Sequence, residues 1–220
     1  MIGYFVTGTD TGVGKTHVTA ALAAWGRQQG KRVFAWKPLE TGCVLVNGQL
    51  TGEDQEAISS EWQQGELLGL YRFRRPVAPF VAARAEGTAI DPDRIVDTFR
   101  IGATGADLVL VEGAGGWRVP VTAGLDMGGL AKMLGLPVVI VARGSLGTIN
   151  HTVLTAEAVT RDQQSIAAVV LSCRPGEDRG FVEENAAEIR RQVLDRVGEP
   201  ARVLVLWDDP QVLRELLTEV

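Results

Sequence analysis

Short apolar runs rich in β-branched residues recur along the chain, separated by longer stretches in which apolar positions return every three or four residues. The runs lie at residues 2–7, 32–36, 107–111, 137–142, 166–171 and 202–206. Most are hydrophobic without alternation, the pattern of strands buried on both faces. Between them the spacing predicts helices over 15–29, 92–102, 127–134, 148–161, 177–197 and 210–218. In the 177–197 stretch, Ile189, Val193, Leu194 and Val197 make one apolar stripe beside a charged face, as suits a helix covering a sheet. Alternating strands and helices imply right-handed crossovers and an α/β fold, a mostly parallel sheet of about six or seven strands with helices on both faces. Residues 41–79 are the least regular and are expected to hold loops and one short helix. No repeat, low-complexity tract or linker interrupts the chain, so residues 1–220 are expected to form a single domain.

Ligands of an open parallel sheet sit outside the carboxyl ends of its strands, so the residues after each run carry the chemistry. After the first run comes Gly8-Thr9-Asp10-Thr11-Gly12-Val13-Gly14-Lys15-Thr16, and after the second Lys37-Pro38 with Thr41-Gly42. Glu112-Gly113-Ala114-Gly115-Gly116 follows the third, and Arg143-Gly144-Ser145-Leu146-Gly147 the fourth. Glycine-bearing loops gathered on one edge imply a single cleft where backbone comes close to a ligand.

Composition narrows the partners. The formal net charge is −5, with a sequence pI near 5.2, which disfavours a nucleic-acid partner. The longest stretch without Asp, Glu, Lys or Arg, 144–156, falls short of the ~20 residues a membrane helix needs, so no membrane span is expected. No basic segment precedes the first apolar run, so no secretory leader is expected. Two cysteines, Cys43 and Cys173, allow no disulfide framework beyond one bridge and fit a reducing cytoplasm. His17 and His151 leave no cluster for zinc.

The first loop ends in Gly14-Lys15-Thr16 and opens a predicted helix. Its backbone N–H groups and the helix N-terminus can cradle phosphate oxygens. Lys15 would reach the β- and γ-phosphates, and the Thr16 hydroxyl would ligate Mg²⁺. Thr9 stands where the usual pattern has its first glycine, with Gly8 one residue early, so this is a variant phosphate loop in a P-loop NTPase-like fold. Magnesium held by a hydroxyl recruits carboxylates and phosphate oxygens. Glu112 is well placed for this, and Gly52-Glu53-Asp54 offers two weaker candidates between which spacing does not choose. Lys37 ends the second run, where a second lysine could offset charge building up during phosphoryl transfer.

Together these motifs resemble the dethiobiotin synthetase family. Residues 8–16 match its phosphate loop, Gly-Thr-Asp-Thr-x-Val-Gly-Lys-Thr, including the unusual glycine spacing. Lys37-Pro38 with Thr41-Gly42 is similar to its second motif, Val111–Trp117 to its third and Leu146–His151 to its fourth. The resemblance implies a cytoplasmic homodimer that joins 7,8-diaminopelargonate, CO₂ (or bicarbonate) and ATP into dethiobiotin, ADP and phosphate. It implies that Lys15, Lys37 and Thr11 act at the carbamate and γ-phosphate, and that Thr16, Asp54 and Glu112 hold Mg²⁺. It further implies nucleotide contacts from Gly12, Val13, Gly14, Lys15, Thr16, His17, Asp54, Glu112, Gly113, Ala114 and Gly115. Substrate contacts would come from Lys37, Thr41, Leu146, Gly147 and Asn150, the last three across the dimer interface.

The match thins toward the C-terminus. Ser172-Cys173 replaces an asparagine that reads adenine in some members, and Leu206-Trp207 stands for an expected proline–aromatic pair. Relaxed nucleotide preference is the corresponding expectation. The rival readings are a carboxylate-amidating synthetase and a nucleotide-switched ATPase. The first lacks room for its glutaminase domain and the second lacks an early loop lysine.

Overall fold

The computed structural model describes residues 1–198 and 202–217. The described residues form a central sheet of six strands: β1 (Ile2–Gly8), β2 (Val33–Trp36), β7 (Leu108–Gly116), β8 (Val138–Arg143), β9 (Ile166–Ser172) and β10 (Val203–Leu206). Between β2 and β7 run two small strand pairs, β3 (Leu39–Thr41) with β6 (Tyr71–Phe73) and β4 (Val44–Val46) with β5 (Gln49–Thr51). The helices are α1 (Lys15–Gln28), α2 (Glu53–Ile58), α3 (Pro79–Ala85), α4 (Pro92–Ala103), α5 (Met127–Leu134), α6 (Thr148–Arg161) and α7 (Arg179–Val197).

The sheet order is β10-β9-β8-β1-β7-β2, with every pairing parallel. Alternate side chains of each strand face opposite layers. Phe5, Val109, Val111, Ile140 and Val169 pack under α4–α7. Val6, Leu108, Leu110, Val139 and Val170 pack under α1, Ile58 and the C-terminal turn with Leu213 and Leu216. Both faces are covered, so the strands carry apolar residues at successive positions. From β1 the chain crosses toward the β2 edge, and from the neighbouring β8 it crosses toward the β10 edge. That reversal is the topological switch point, and it opens a crevice at the carboxyl ends of the strands.

Four elements depart from the sequence reading, one of them α3 (Pro79–Ala85), which no predicted helix covers. Residues 112–116 belong to β7, because its glycines let the strand keep pairing with β1 (Val6 with Glu112, Gly8 with Gly116, across a register shift). The expected last helix is a 3₁₀ segment over Pro210–Leu216, with Asp209 accepting the Gln211 N–H at its start; Thr218 of that expectation lies outside the described residues. The 41–79 region does hold one short α-helix, α2, but also a hairpin and the β3–β6 pair. Asn47 and Gly48 turn the hairpin with φ of 51° and 82°, the left-handed pair that a two-residue hairpin loop requires.

Candidate functional site

The switch point holds a cleft of about 570 Å³. Thr11, Gly12, Gly14, Lys15 and Thr16 line it from the phosphate loop, with Lys37, Thr41, Asp54, Ala114 and Gly115 from the neighbouring elements. Gly14 is the N-cap of α1 at φ 97°, and a Cβ there would collide with the Ser172 side chain. Glycine is therefore demanded at this position twice over. The α1 N-terminus carries no acidic residue in its first turn and no side-chain cap, so its N–H groups stay available to an anion.

At the cleft floor the Thr16 hydroxyl lies 2.8 Å from Asp54 Oδ1 and 2.9 Å from Glu112 Oε1. Lys37 Nζ donates to Glu112 Oε1 at 2.7 Å and also to Asp54 Oδ2. Glu112 is fully buried, Lys15 and Lys37 nearly so, and Asp54 is half-buried. Burial pushes the Lys37 ammonium down, but Glu112 and Asp54 more than offset it and hold it well above the usual lysine range. Burial pushes Asp54 up, and Lys37 and the Thr16 hydroxyl reverse this to leave it below the usual value. Lys15 is lowered by burial, partly offset by Glu112. The depressed Asp54 stabilises the fold above its ordinary value of 3.8, a contribution lost as pH falls through the lower folded value. The raised Lys37 contributes below 10.5 and is lost only as pH rises through its higher folded value. The Lys37–Asp54 pair is therefore charged across the neutral range.

This oxygen set fits a divalent cation. Adjacent ligands of an octahedron with ~2.05 Å bonds lie about 2.9 Å apart, matching the Thr16-to-carboxylate spacings. Glu112 Oε2 is buried and accepts no hydrogen bond among the described residues, leaving a lone pair uncommitted. Among the described residues no group of three or more His, Cys, Asp or Glu is set to hold a metal unaided. The cluster therefore suits Mg²⁺ completed by phosphate oxygens and water.

The structure places Asp54 against the Thr16 hydroxyl and leaves the Glu53 side chain exposed. It also separates some candidates from the cleft. His17 is exposed on α1, Val13 packs in the core beneath the loop, and Gly113 lies against Phe5. Leu146, Gly147 and Asn150 line a second groove, of about 470 Å³, with Val153 and Leu154. Ser172 is occupied against Gly14, and Arg179 lies over the Trp207 ring at 4.7 Å. The sequence reading missed Glu40, Pro76, Val77, Ala78, Pro79 and Val119, all lining the cleft. It also missed Gln55, which accepts the Lys37 backbone N–H at 2.6 Å.

Solved structures share this architecture. They include the MinC:MinD cell division protein complex of Aquifex aeolicus (TM-score 0.53, 15% identity, 99% of this chain and 86% of that one). A ParA family ATPase of Chlorobium tepidum TLS gives a TM-score of 0.54 at 14% identity, over 98% of this chain and 87% of that one. The fold, with the loop at its switch point, is thus that of a P-loop NTPase-like protein. A family model described as an AAA domain matches residues 3–204. The ATP-dependent dethiobiotin synthetase BioD of Anaeromyxobacter dehalogenans (strain 2CP-C) is 46% identical over 191 residues, 87% of this chain and 85% of the relative. The protein of the same name from Aromatoleum aromaticum is 38% identical over 193 residues, 86% and 85% of the two chains. The chain belongs to the ATP-dependent dethiobiotin synthetase family.

Proposed function

We propose that this chain is the ligase that makes dethiobiotin in biotin biosynthesis, using ATP in the cleft between the phosphate loop, Lys37 and β7. The observation that carries the reading is the convergence of Lys15, Lys37, Thr16, Asp54 and Glu112 on one cleft floor, in a chain of this family. Residues 1–220 would serve as one catalytic domain. The substrates are 7,8-diaminopelargonate, CO₂ and ATP. One substrate amine takes up CO₂ as a carbamate, whose oxygen is a poor leaving group. That oxygen attacks the γ-phosphorus, and ADP departs. The second amine then attacks the carbamoyl carbon, loses its proton and closes the five-membered urea, and phosphate leaves with the carbamate oxygen.

The tethered amine needs only positioning, since intramolecular attack reaches effective molarities of about 10⁵ M or more. Phosphoryl transfer needs positioning and charge stabilisation. Lys15 and Lys37 supply positive charge between carbamate and γ-phosphate, and Thr11 lines the same space. Thr16, Asp54 and Glu112 would hold Mg²⁺, which neutralises charge on the β- and γ-phosphates when bound. The loop N–H groups from Gly12 to Thr16 cradle the phosphates.

Leu146, at 85% exposure, and Leu154, at 57%, line the second groove together and would suit burial against a symmetric partner. A second copy would bring the α6 N-terminus (Leu146–Asn150) to the substrate's far carboxylate. A single-chain species by sedimentation under assay conditions would contradict this. Cys43 and Cys173, both free and buried, accord with a reducing cytoplasm, and no helix among the described residues is long and apolar enough to cross a membrane.

The test is phosphate release from nucleotide, Mg²⁺ and bicarbonate, with and without 7,8-diaminopelargonate, with the product weighed. Diamine-dependent release with a dethiobiotin mass is expected. Comparable rates with ATP, CTP and GTP are expected as well, since Ser172-Cys173 stands where some members carry the adenine-reading asparagine. Diamine-independent hydrolysis would favour a switch ATPase, and a strict ATP requirement would overturn the relaxed preference.

A further inference from the structure

We infer that Glu40 is a positioning residue that sets the metal-binding aim of Asp54 by capping the short helix on which Asp54 rides. The inference rests on the Mg²⁺ reading of Thr16, Asp54 and Glu112.

Helix α2 is six residues long, and its own N-cap, Gly52, offers no side chain to its first N–H groups. An isolated helix of this length does not hold its shape in water, so its orientation must come from outside. Glu40 provides that hold from the neighbouring strand pair. Its Oε1 accepts the Asp54 N–H at 2.8 Å, and its Oε2 accepts the Gln55 N–H at 3.2 Å. Both oxygens are thereby spent on backbone, and the side chain is 5% exposed. A carboxylate at a helix N-terminus is also favoured by the helix dipole.

The hairpin of β4 and β5 makes this reach possible. The chain leaves β3 just after Glu40, turns at Asn47-Gly48 and returns through β5 to Gly52. Gly52 has an ordinary extended φ of −107°, so glycine is not required there for conformation. What it provides is space, because a Cβ at Gly52 would overlap the Glu40 carboxylate and displace it from its present position. Residues 40 and 52 therefore fit as a matched pair. From the other side, Gln55 ties α2 to the end of β2, accepting the Lys37 N–H and donating to the Ala35 carbonyl at 3.3 Å. Glu40 and Gln55 together place the Asp54 carboxylate against Thr16 and Lys37.

Partners that orient a metal ligand typically matter by roughly 10–100-fold in metal affinity. The experiment measures Mn²⁺ binding by electron paramagnetic resonance, in the presence of a non-hydrolysable ATP analogue, and separately the affinity for that analogue without metal. Glu40→Ala and Gly52→Ala should each weaken Mn²⁺ binding by about tenfold or more. Metal-free analogue affinity should stay within about twofold of the parent, since both Glu40 oxygens are held by the α2 backbone and neither residue belongs to the phosphate loop. Glu40→Gln, which keeps the shape and one acceptor, should fall between and covers the event that Glu40→Ala does not fold. Asp54→Asn is the control for the metal reading. If Asp54→Asn weakens Mn²⁺ binding while the Glu40 and Gly52 variants bind it as the parent does, the positioning role is overturned and the metal reading stands. If Asp54→Asn leaves Mn²⁺ binding intact, both fall. Loss of metal-free analogue affinity in step with Mn²⁺ affinity would mean a merely structural role and would also overturn the inference.

Discussion

Replacing Lys37 with methionine should lower diamine-dependent phosphate release by about 10³-fold, the scale of removing one preorganised charge from a transition state, or about 4 kcal/mol of barrier. Methionine keeps the length of the buried stem and removes the ammonium with its hydrogen bonds to Glu112 and Asp54. Analogue affinity should hold within about threefold, because the proposed phosphate site would draw on Lys15 and loop N–H groups rather than on Lys37. The metal requirement should not rise: Lys37 bridges Asp54 and Glu112, where a divalent cation would draw on the same carboxylates. Single-turnover kinetics and an Mg²⁺ titration read the two effects separately. Phosphate release near the parent rate would remove Lys37 from the chemistry.

Glu112→Gln should act on both stability and rate. The Glu112 carboxylate is fully buried, takes the Lys37 ammonium and the Thr16 hydroxyl, and keeps one oxygen unpartnered. Neutralising it leaves a buried lysine with only the half-buried Asp54 as counter-charge. Breaking a buried pair by removing one partner costs about 3–5 kcal/mol. Chemical denaturation of the ligand-free protein should show a loss of this order. The variant should also lose Mg²⁺-dependent turnover, because one of two carboxylates facing Thr16 no longer carries charge. Unchanged stability with intact turnover would mean that Glu112 is neither counter-ion nor metal ligand.

The sheet was legible because burial on both faces forces successive apolar positions, as in Val138–Ala142 and Val169–Leu171, and that pattern survives without any tertiary information. The phosphate loop was legible for a related reason: chemistry fixes its residue types over a short, continuous stretch. Glu112 was found as a residue but misplaced as a loop residue, since a run of glycines after it reads as a turn, whereas pairing with β1 keeps it in a strand. The hairpin carries a readable signal, the Asn47-Gly48 dipeptide between Val44–Val46 and Gln49–Thr51, that the apolar-run reading does not use. Glu40 had no such signal. Its role arises only when a hairpin folds Gly52 back onto it, and a glutamate between Leu39 and Thr41 looks like any strand charge. Asp54 could not be told from Glu53 by spacing, because the choice is made by the direction of α2 and hence by its cap.

The central claim is that the γ-phosphoryl group passes to a carbamate oxygen in the Lys15–Lys37 cleft and not to water. The most direct test is a single turnover with ¹⁸O-labelled CO₂, unlabelled ATP, unlabelled water and 7,8-diaminopelargonate, with the released phosphate weighed by mass spectrometry. Transfer to the carbamate predicts phosphate carrying one ¹⁸O. Phosphate without label, its fourth oxygen drawn from water, would contradict it.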